Sequence, residues 1–445
     1  MKRVTIILSA LCLVQNAFSQ TYTLEQCRKL ALSNNIAITV ADNEVISAKE
    51  QKKEAFTNYF PSISASGGYM AANKNLFRGG IELADVIPEG VAGSLPPEML
   101  QGMPETIEFG MIKNGPAAAV TAMQPIYTGG QIINGNRLAE VGVEVAQLKK
   151  DMSRNEILTT VEKYYWQIVS LKEKLKTVKV ANTRLMDLKN DVQAAVDAGI
   201  RTSNDLLQIQ IKSNDIESSS ISLENGLELS KMLLCQYMGV EYTDSFDVDD
   251  FTYGEVESPY VYAVDYVSAL KDIPEYKLLE RGVKASELQL KMEVGKHLPT
   301  IGVGAGYIYE NIISGSHGTG VLMAQISIPI TSWSGGHHAI KRKRIAVNTA
   351  REQMHSNSEL LMIKMRGAWN SLDEAYRQIG IAEKTVSQSE VNLADIRNSY
   401  EAGSVTISDL LEAELQYRQA QDMLVDAVAG YQTKLLTYKQ SVGFD

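Results

Sequence analysis

The chain has 445 residues, 44% of them hydrophobic, with a formal net charge of −10. That length can bury a large core and, by length alone, suggests two or three domains. The acidic balance argues against nucleic acid as a partner.

The N-terminus reads Met1-Lys2-Arg3, then an apolar run from Val4 to Val14, then Ala17-Phe18-Ser19-Gln20. A basic start, a short apolar core and small residues predict a signal peptide over 1–19, cleaved after Ser19. Removing Lys2 and Arg3 leaves 41 basic and 53 acidic residues, a mature charge of −12. A lipoprotein reading through Cys12 is weakened by Leu11, which is not small. No other segment approaches a transmembrane helix, so a membrane part of this chain has to be made of strands. Cys27 and Cys235 remain after cleavage. A disulfide and two separate buried thiols are both open.

Residues 24–59 read as a helix that Pro61 ends. From Ser62 the period changes to two, and a hairpin is predicted over 62–127. Its return strand, Gly115–Tyr127, closes on Pro125 and the pair Gly129-Gly130. The intervening stretch 71–114 is rich in Gly, Pro and acids and reads as an irregular loop. A very long helix follows over 131–196, about 100 Å at 1.5 Å per residue. Ile157, Val161, Tyr164, Ile168, Leu171, Leu175 and Val178 alternate spacings of four and three, the mark of a coiled coil. A tip over 197–203 holds Ala198-Gly199-Ile200, and a shorter helix returns over 203–238. Residues 20–240 form one structural repeat, and 241–260 read as an acidic, aromatic linker.

Residues 261–445 say the same thing again. A helix over 261–296 is stopped by Pro299, and a hairpin follows over 299–331. Here 21 residues separate Tyr307 from Pro329, against 55 between Tyr69 and Pro125. Long loops on one side fit the outer side of a membrane barrel. Ile301, Val303, Ala305, Tyr307 and Tyr309 share one face of a strand, and Gly302, Gly304 and Gly306 the other. An apolar outer and small inner face is how a barrel strand reads, although a half-buried soluble strand carries one apolar face too. Tyr127 and Trp333 stand where membrane-interface aromatics belong. A long helix over 335–400 keeps heptad spacing from Leu361 to Tyr400. The tip over 401–406 contains Ala402-Gly403-Ser404, and the last helix covers 406–442. The two tips match without a gap at an offset of 204 residues, as far as Gly239 and Gly443.

The expected fold is mainly α with a β membrane part. Four strands per chain cannot close a barrel, but three chains supply twelve, so closure predicts a homotrimer with a long coiled-coil α-barrel and a 12-stranded β-barrel.

This order of elements, with Pro before Gly-Gly in both copies and Ala-Gly followed by Asp-Leu-Leu, resembles the TolC family of outer-membrane efflux proteins. The resemblance covers essentially the whole mature chain, from Leu24 to Gly443. It implies a channel in the cell outer membrane, surrounded by lipid, with a tunnel in the periplasm. It implies a periplasmic adaptor and an inner-membrane pump as partners, and no cofactor. The tips Ala198, Gly199, Ile200, Ala402, Gly403 and Ser404 would dock the adaptor. The family's pore aperture carries a Tyr, a Gly three residues on, an Arg two after that, and two acids. Tyr400, Gly403, Asp409 and Glu412 match, but Val405 stands in the arginine's place. Arg201 occupies the equivalent position in the first copy, and Asp205 is that copy's counterpart of Asp409. An Arg201–Asp409 contact is the expected substitute for the family's closed-state bonds.

Other chemistry has little support. Gly302-Val303-Gly304-Ala305-Gly306 does not fit a nucleotide loop and follows a helix rather than a strand. His337 and His338 are adjacent and lack further ligands at metal spacing. The run Lys341-Arg342-Lys343-Arg344 reads as a solvated face or a lipid-headgroup contact. No nucleophile–base constellation is present, so no catalytic role is expected. The alternatives to a channel are an exported trimeric adhesin, which needs no paired membrane-type hairpins, and a periplasmic coiled-coil scaffold, which needs no detergent.

Overall fold

The computed structural model describes residues 20–73, 77–82, 106–111, 114–250, 256–311, 316–330 and 333–444. The proposed signal segment lies outside them. In the first repeat the elements are β1 (Gln20–Tyr22), α1 (Leu24–Asn34), α2 (Ile36–Thr57), β2 (Ser62–Ala71), β3 (Phe77–Glu82), β4 (Thr106–Met111), β5 (Asn114–Thr128), α3 (Gln131–Asp197) and α4 (Ser203–Met238). Then come β6 (Phe246–Val248), a 3₁₀ turn (Pro259–Tyr262), α5 (Tyr266–Ala269), α6 (Pro274–Lys296), β7 (Thr300–Glu310), β8 (His317–Ser327), α7 (Trp333–Glu401) and α8 (Ile407–Ser441).

Three expectations change. The helix expected over 24–59 breaks at Asn35, which is extended at φ −65°, ψ 132°. Its side chain donates to the Tyr237 carbonyl (2.8 Å) and accepts from the Ala37 amide (2.8 Å), so a distant helix and a local cap reward the break together. The helix expected over 261–296 is a 3₁₀ turn, a single helical turn and α6, because Pro274 disfavours helix in the residue before it. The 71–114 loop is not wholly irregular. β3 and β4 pair antiparallel within it, Phe77 opposite Met111, while 83–105 lies outside the described residues.

The chain divides into two units. The first comprises Met1–Ala48, Val143–Val283 and Ala350–Asp445. Its core is built on heptad positions. Ile157, Val161, Ile168, Leu175 and Val178 of α3 are buried, as are Met365, Leu372, Ala375, Ile379 and Ala382 of α7. Buried clusters form around Leu234 and Met238, around Tyr431 and Tyr438, and at the helix tips, and a smaller one joins Val45, Ala48 and Ala146. Cys27 and Cys235 are both free and buried in the first of these. Burial pushes their thiols up, to about 12 and about 11 respectively, so they behave as small hydrophobes. β1 and β6 pair parallel, with Gln20 opposite Phe246, giving the 241–260 stretch local structure.

The second unit comprises Lys49–Gly142 and Lys284–Thr349. It holds a four-stranded antiparallel sheet in the order β2-β5-β7-β8. The two hairpins meet through β5 and β7, where Val120 faces Tyr307. Pro125 sits at a register shift, where a missing N–H is tolerated. Along one row lie Ile63, Ala122, Ala305 and Leu322, and along the next but one Ala65, Val120, Tyr307 and Gly320. This apolar face is open. Ile63 is 74% exposed and Leu322 87%. Rows between carry Ser64, Thr121, Gly306 and Val321, and Ser64 and Thr121 share a hydrogen bond of 2.9 Å. Gly304 lets the Met123 and Met323 side chains lie against the strand, since a Cβ there would strike both. Among the described residues β2 and β8 are edges, each paired on one side only. Among the described residues, no helix is long and apolar enough to cross a membrane.

Candidate functional site

The two helix tips are built alike. α3 ends with Gly199 at φ +75°, and α7 with Gly403 at φ +74°, a left-handed conformation that favours glycine. The Ile200 amide donates to the Ala195 carbonyl (2.8 Å) and the Ser404 amide to the Ser399 carbonyl (2.9 Å), so each turn caps its helix in the same way. Ala198, Gly199, Ile200, Ala402, Gly403 and Ser404 are all exposed. No atom lies within 4 Å of where a Cβ would stand on either glycine. Ile200 is large, apolar and 76% exposed.

Both returning helices begin with the same capping box. Thr202 accepts from the Asp205 amide and Thr406 from the Asp409 amide, each at 3.3 Å. The Asp205 carboxylate accepts from the Thr202 amide (3.3 Å), and that of Asp409 from the Thr406 amide (2.8 Å) and hydroxyl (2.6 Å). The Thr406 hydroxyl, then its amide, hold the exposed Asp409 carboxyl below the usual aspartate range. Thr202 and Thr406 were missed from sequence, although Thr-x-x-acid before an apolar run signals a capping box.

Arg201 does not go to Asp409. Its guanidinium lies 4.6 Å from the centroid of the Tyr400 ring and donates to the Tyr400 carbonyl at 3.4 Å. Asp409 is taken by its own cap, and the ring face and helix-end carbonyl offer Arg201 a cation–π site and an acceptor together. Tyr400 is buried in the tip cluster with Leu393, Ile407 and Leu410. Burial, then Asp205 and Asp191, push its phenol up against the opposing pull of Arg201. Glu412 is exposed and accepts from the Gln416 side chain (3.2 Å). Behind the tips, a cavity of about 580 Å³ is lined by residues including Arg184, Arg201, Arg397, Tyr400 and Glu414. Glu414 bridges Arg397 (2.5 Å) and Arg184 (3.6 Å) there.

In the second unit, Tyr127 is 43% exposed at the end of β5. Trp333 opens α7, and its side chain lies outside the described positions. The rings of His337 and His338 are 5.6 Å apart. Among the described residues no group of three His, Cys, Asp or Glu is placed to hold a metal.

Residues 267–443, within the second repeat, match the family model for outer membrane efflux proteins. Across nearly its whole length the chain has the fold of known outer-membrane channels. It is similar to CusC (14% identity, TM-score 0.78, covering 97% of this chain and 95% of that one). It is similar also to the CmeC outer membrane channel of Campylobacter jejuni (14%, 0.75, 94% and 85%) and the MtrE outer membrane channel of Neisseria gonorrhoeae (14%, 0.71, 94% and 88%). No curated protein matches the chain.

Proposed function

We propose that this protein is the outer-membrane channel of a tripartite efflux or type I secretion system, working as a homotrimer with a periplasmic adaptor and an inner-membrane pump. The observation that carries the reading is the four-stranded antiparallel sheet, with one apolar face exposed and two edges unpaired, in a chain whose 267–443 match the efflux family. An open apolar face suits lipid and not water. Unpaired edges suit pairing with neighbouring copies, and three copies close twelve strands. The heptad helices of the first unit then line the periplasmic conduit. Ala198–Ile200 and Ala402–Ser404 meet the adaptor, and the bare glycines let a partner backbone approach closely. Arg201 on Tyr400 holds the aperture from within one chain, while Asp205, Asp409 and Glu412 contribute carboxylates to it. Such a ring attracts cations.

The test is light scattering of the detergent-purified protein followed by recording in planar bilayers. A trimer that conducts is expected, and Asp409→Ala with Glu412→Ala should weaken cation selectivity. A monodisperse, non-conducting monomer sinks the channel. Unchanged selectivity in the double variant removes these carboxylates from the aperture.

A further inference from the structure

We propose that the start of α7 is a docking surface for anionic phospholipid headgroups, which pins the second repeat, and not the first, to the membrane leaflet on the helix side. The proposal rests on the reading of the sheet as the membrane part.

Residues 335–349 carry Lys341, Arg342, Lys343 and Arg344 and no acid. The corresponding stretch of the first repeat, 131–145, carries Arg137, Glu140 and Glu144. Glu140 there takes Lys52 of α2 at 2.9 Å and Glu144 takes Arg281 of α6 at 2.5 Å, so both acids of that stretch are paired. In the second repeat only Lys343 turns inward, donating to Gln289 of α6 at 2.9 Å. Lys341, Arg342 and Arg344 are exposed, and no ion pair among the described residues involves them. His337, Lys341 and Arg344 are spaced four and three apart and share an exposed face, while the packed side is marked by buried Gly336 and Val347. Ile345, 56% exposed, lies among the cations.

Position points to the occupant. The segment entering α7 runs Ile326, Ile328, Ile330, all more than half exposed, straight off the apolar face of β8. Helical side chains lean toward the helix N-terminus. Lys341, Arg342 and Arg344 therefore reach back along α7 toward the apolar strands, the way basic residues snorkel to a headgroup layer. An apolar surface continued by unpaired cations matches acyl chains continued by phosphates.

The experiment is native mass spectrometry of the full-length protein, extracted in detergent and incubated with phosphatidylglycerol or phosphatidylcholine. The parent should retain phosphatidylglycerol in preference to phosphatidylcholine. Lys341→Gln/Arg342→Gln/Arg344→Gln should retain at least about tenfold less of it, since each basic group near an anionic surface is worth roughly a factor of five. Arg137→Gln, the matched change in the first repeat, should behave as the parent. Equal retention by the triple variant, or a parent indifferent to lipid charge, overturns the proposal and leaves the channel reading intact. Displacement of the lipid by millimolar inorganic phosphate overturns the headgroup assignment in favour of a free-anion site. A protein that stays soluble without detergent overturns the channel reading and this proposal with it.

Discussion

In the first repeat the middle of the helices is covered by β1 and β6, in the second by residues 256–264. The fastenings differ in kind. Lys172, with a side chain only 12% exposed, reaches Asp247 (2.8 Å), the Val248 carbonyl (2.7 Å) and Asp250 (2.9 Å). At the matching place in the second repeat stands Tyr376, packed on Tyr431 and Tyr260 with ring centroids 5.9 and 6.4 Å away. The fully buried Tyr431 and Tyr438 donate to the carbonyls of Glu257 (2.6 Å) and Tyr262 (3.0 Å). Their first-repeat counterparts are Leu227 and Leu234, which cannot donate. A duplicated helical frame thus kept its apolar stripe while its covers diverged, one ionic and one aromatic. The tips diverged less, as both keep the left-handed glycine turn and the backbone bonds of the capping box, although only Thr406 adds a hydroxyl bond to its aspartate.

The largest expected effect tests the likeness of the tips. Gly403→Trp and Gly199→Trp each put a bulky side chain into open space, at roughly 1–2 kcal/mol for the left-handed backbone. Each should leave the proposed trimer intact and abolish efflux in a complementation assay. Normal efflux in both would show that the turns are only structural.

Next is the aromatic cover. Tyr438→Ala should cost about 3–5 kcal/mol in thermal or denaturant unfolding, as for other buried aromatics. Tyr438→Phe should cost about 1 kcal/mol, since it removes one hydrogen bond and keeps the packing. A Phe variant as damaged as the Ala variant would mean that the hydroxyl, not the ring, holds the strap.

The ionic cover should give less. Lys172→Met is expected to cost about 1–3 kcal/mol by leaving Asp247 short of a partner. It should also be the pH-sensitive cover. Burial would raise the Asp247 pKa, but hydrogen bonds from Lys172 and Lys231 outweigh it and hold the group below its usual 3.8. A lowered folded-state value means that the stabilisation is present above the unfolded pKa and lost as pH falls through the folded one. Hydrogen exchange at residues 20–22 and 246–248 should therefore quicken below about pH 4, while 256–264 holds. Equal loosening of both covers at acid pH would contradict the ionic assignment.

The smallest effects belong to the caps. Thr202→Ala and Thr406→Ala should each cost about 1 kcal/mol, and by similar amounts. A much larger loss at Thr406 would show that Asp409 does more in the second tip than cap α8.

Much of this was readable in the residues themselves. Heptads, the change to period two after Pro61 and Pro299, the Gly-Gly stops and the repeated Ala-Gly turns are local signals, and each acts within a few residues of itself. The partners of those elements were not readable. Nothing near Asn35 announces the Tyr237 carbonyl, and nothing in Gln20–Tyr22 announces Phe246–Val248. Arg201 was expected to meet Asp409. Asp409 was already engaged by Thr406, and the Tyr400 ring lay within reach, so the choice fell to the tertiary structure. The joining of the hairpins through β5 and β7 is of the same kind. The sequence by itself determined which faces are apolar and where the chain must turn, because propensity and periodicity are short-range. Only the tertiary structure decided which face meets which, because pairing between distant segments depends on what else has already been satisfied.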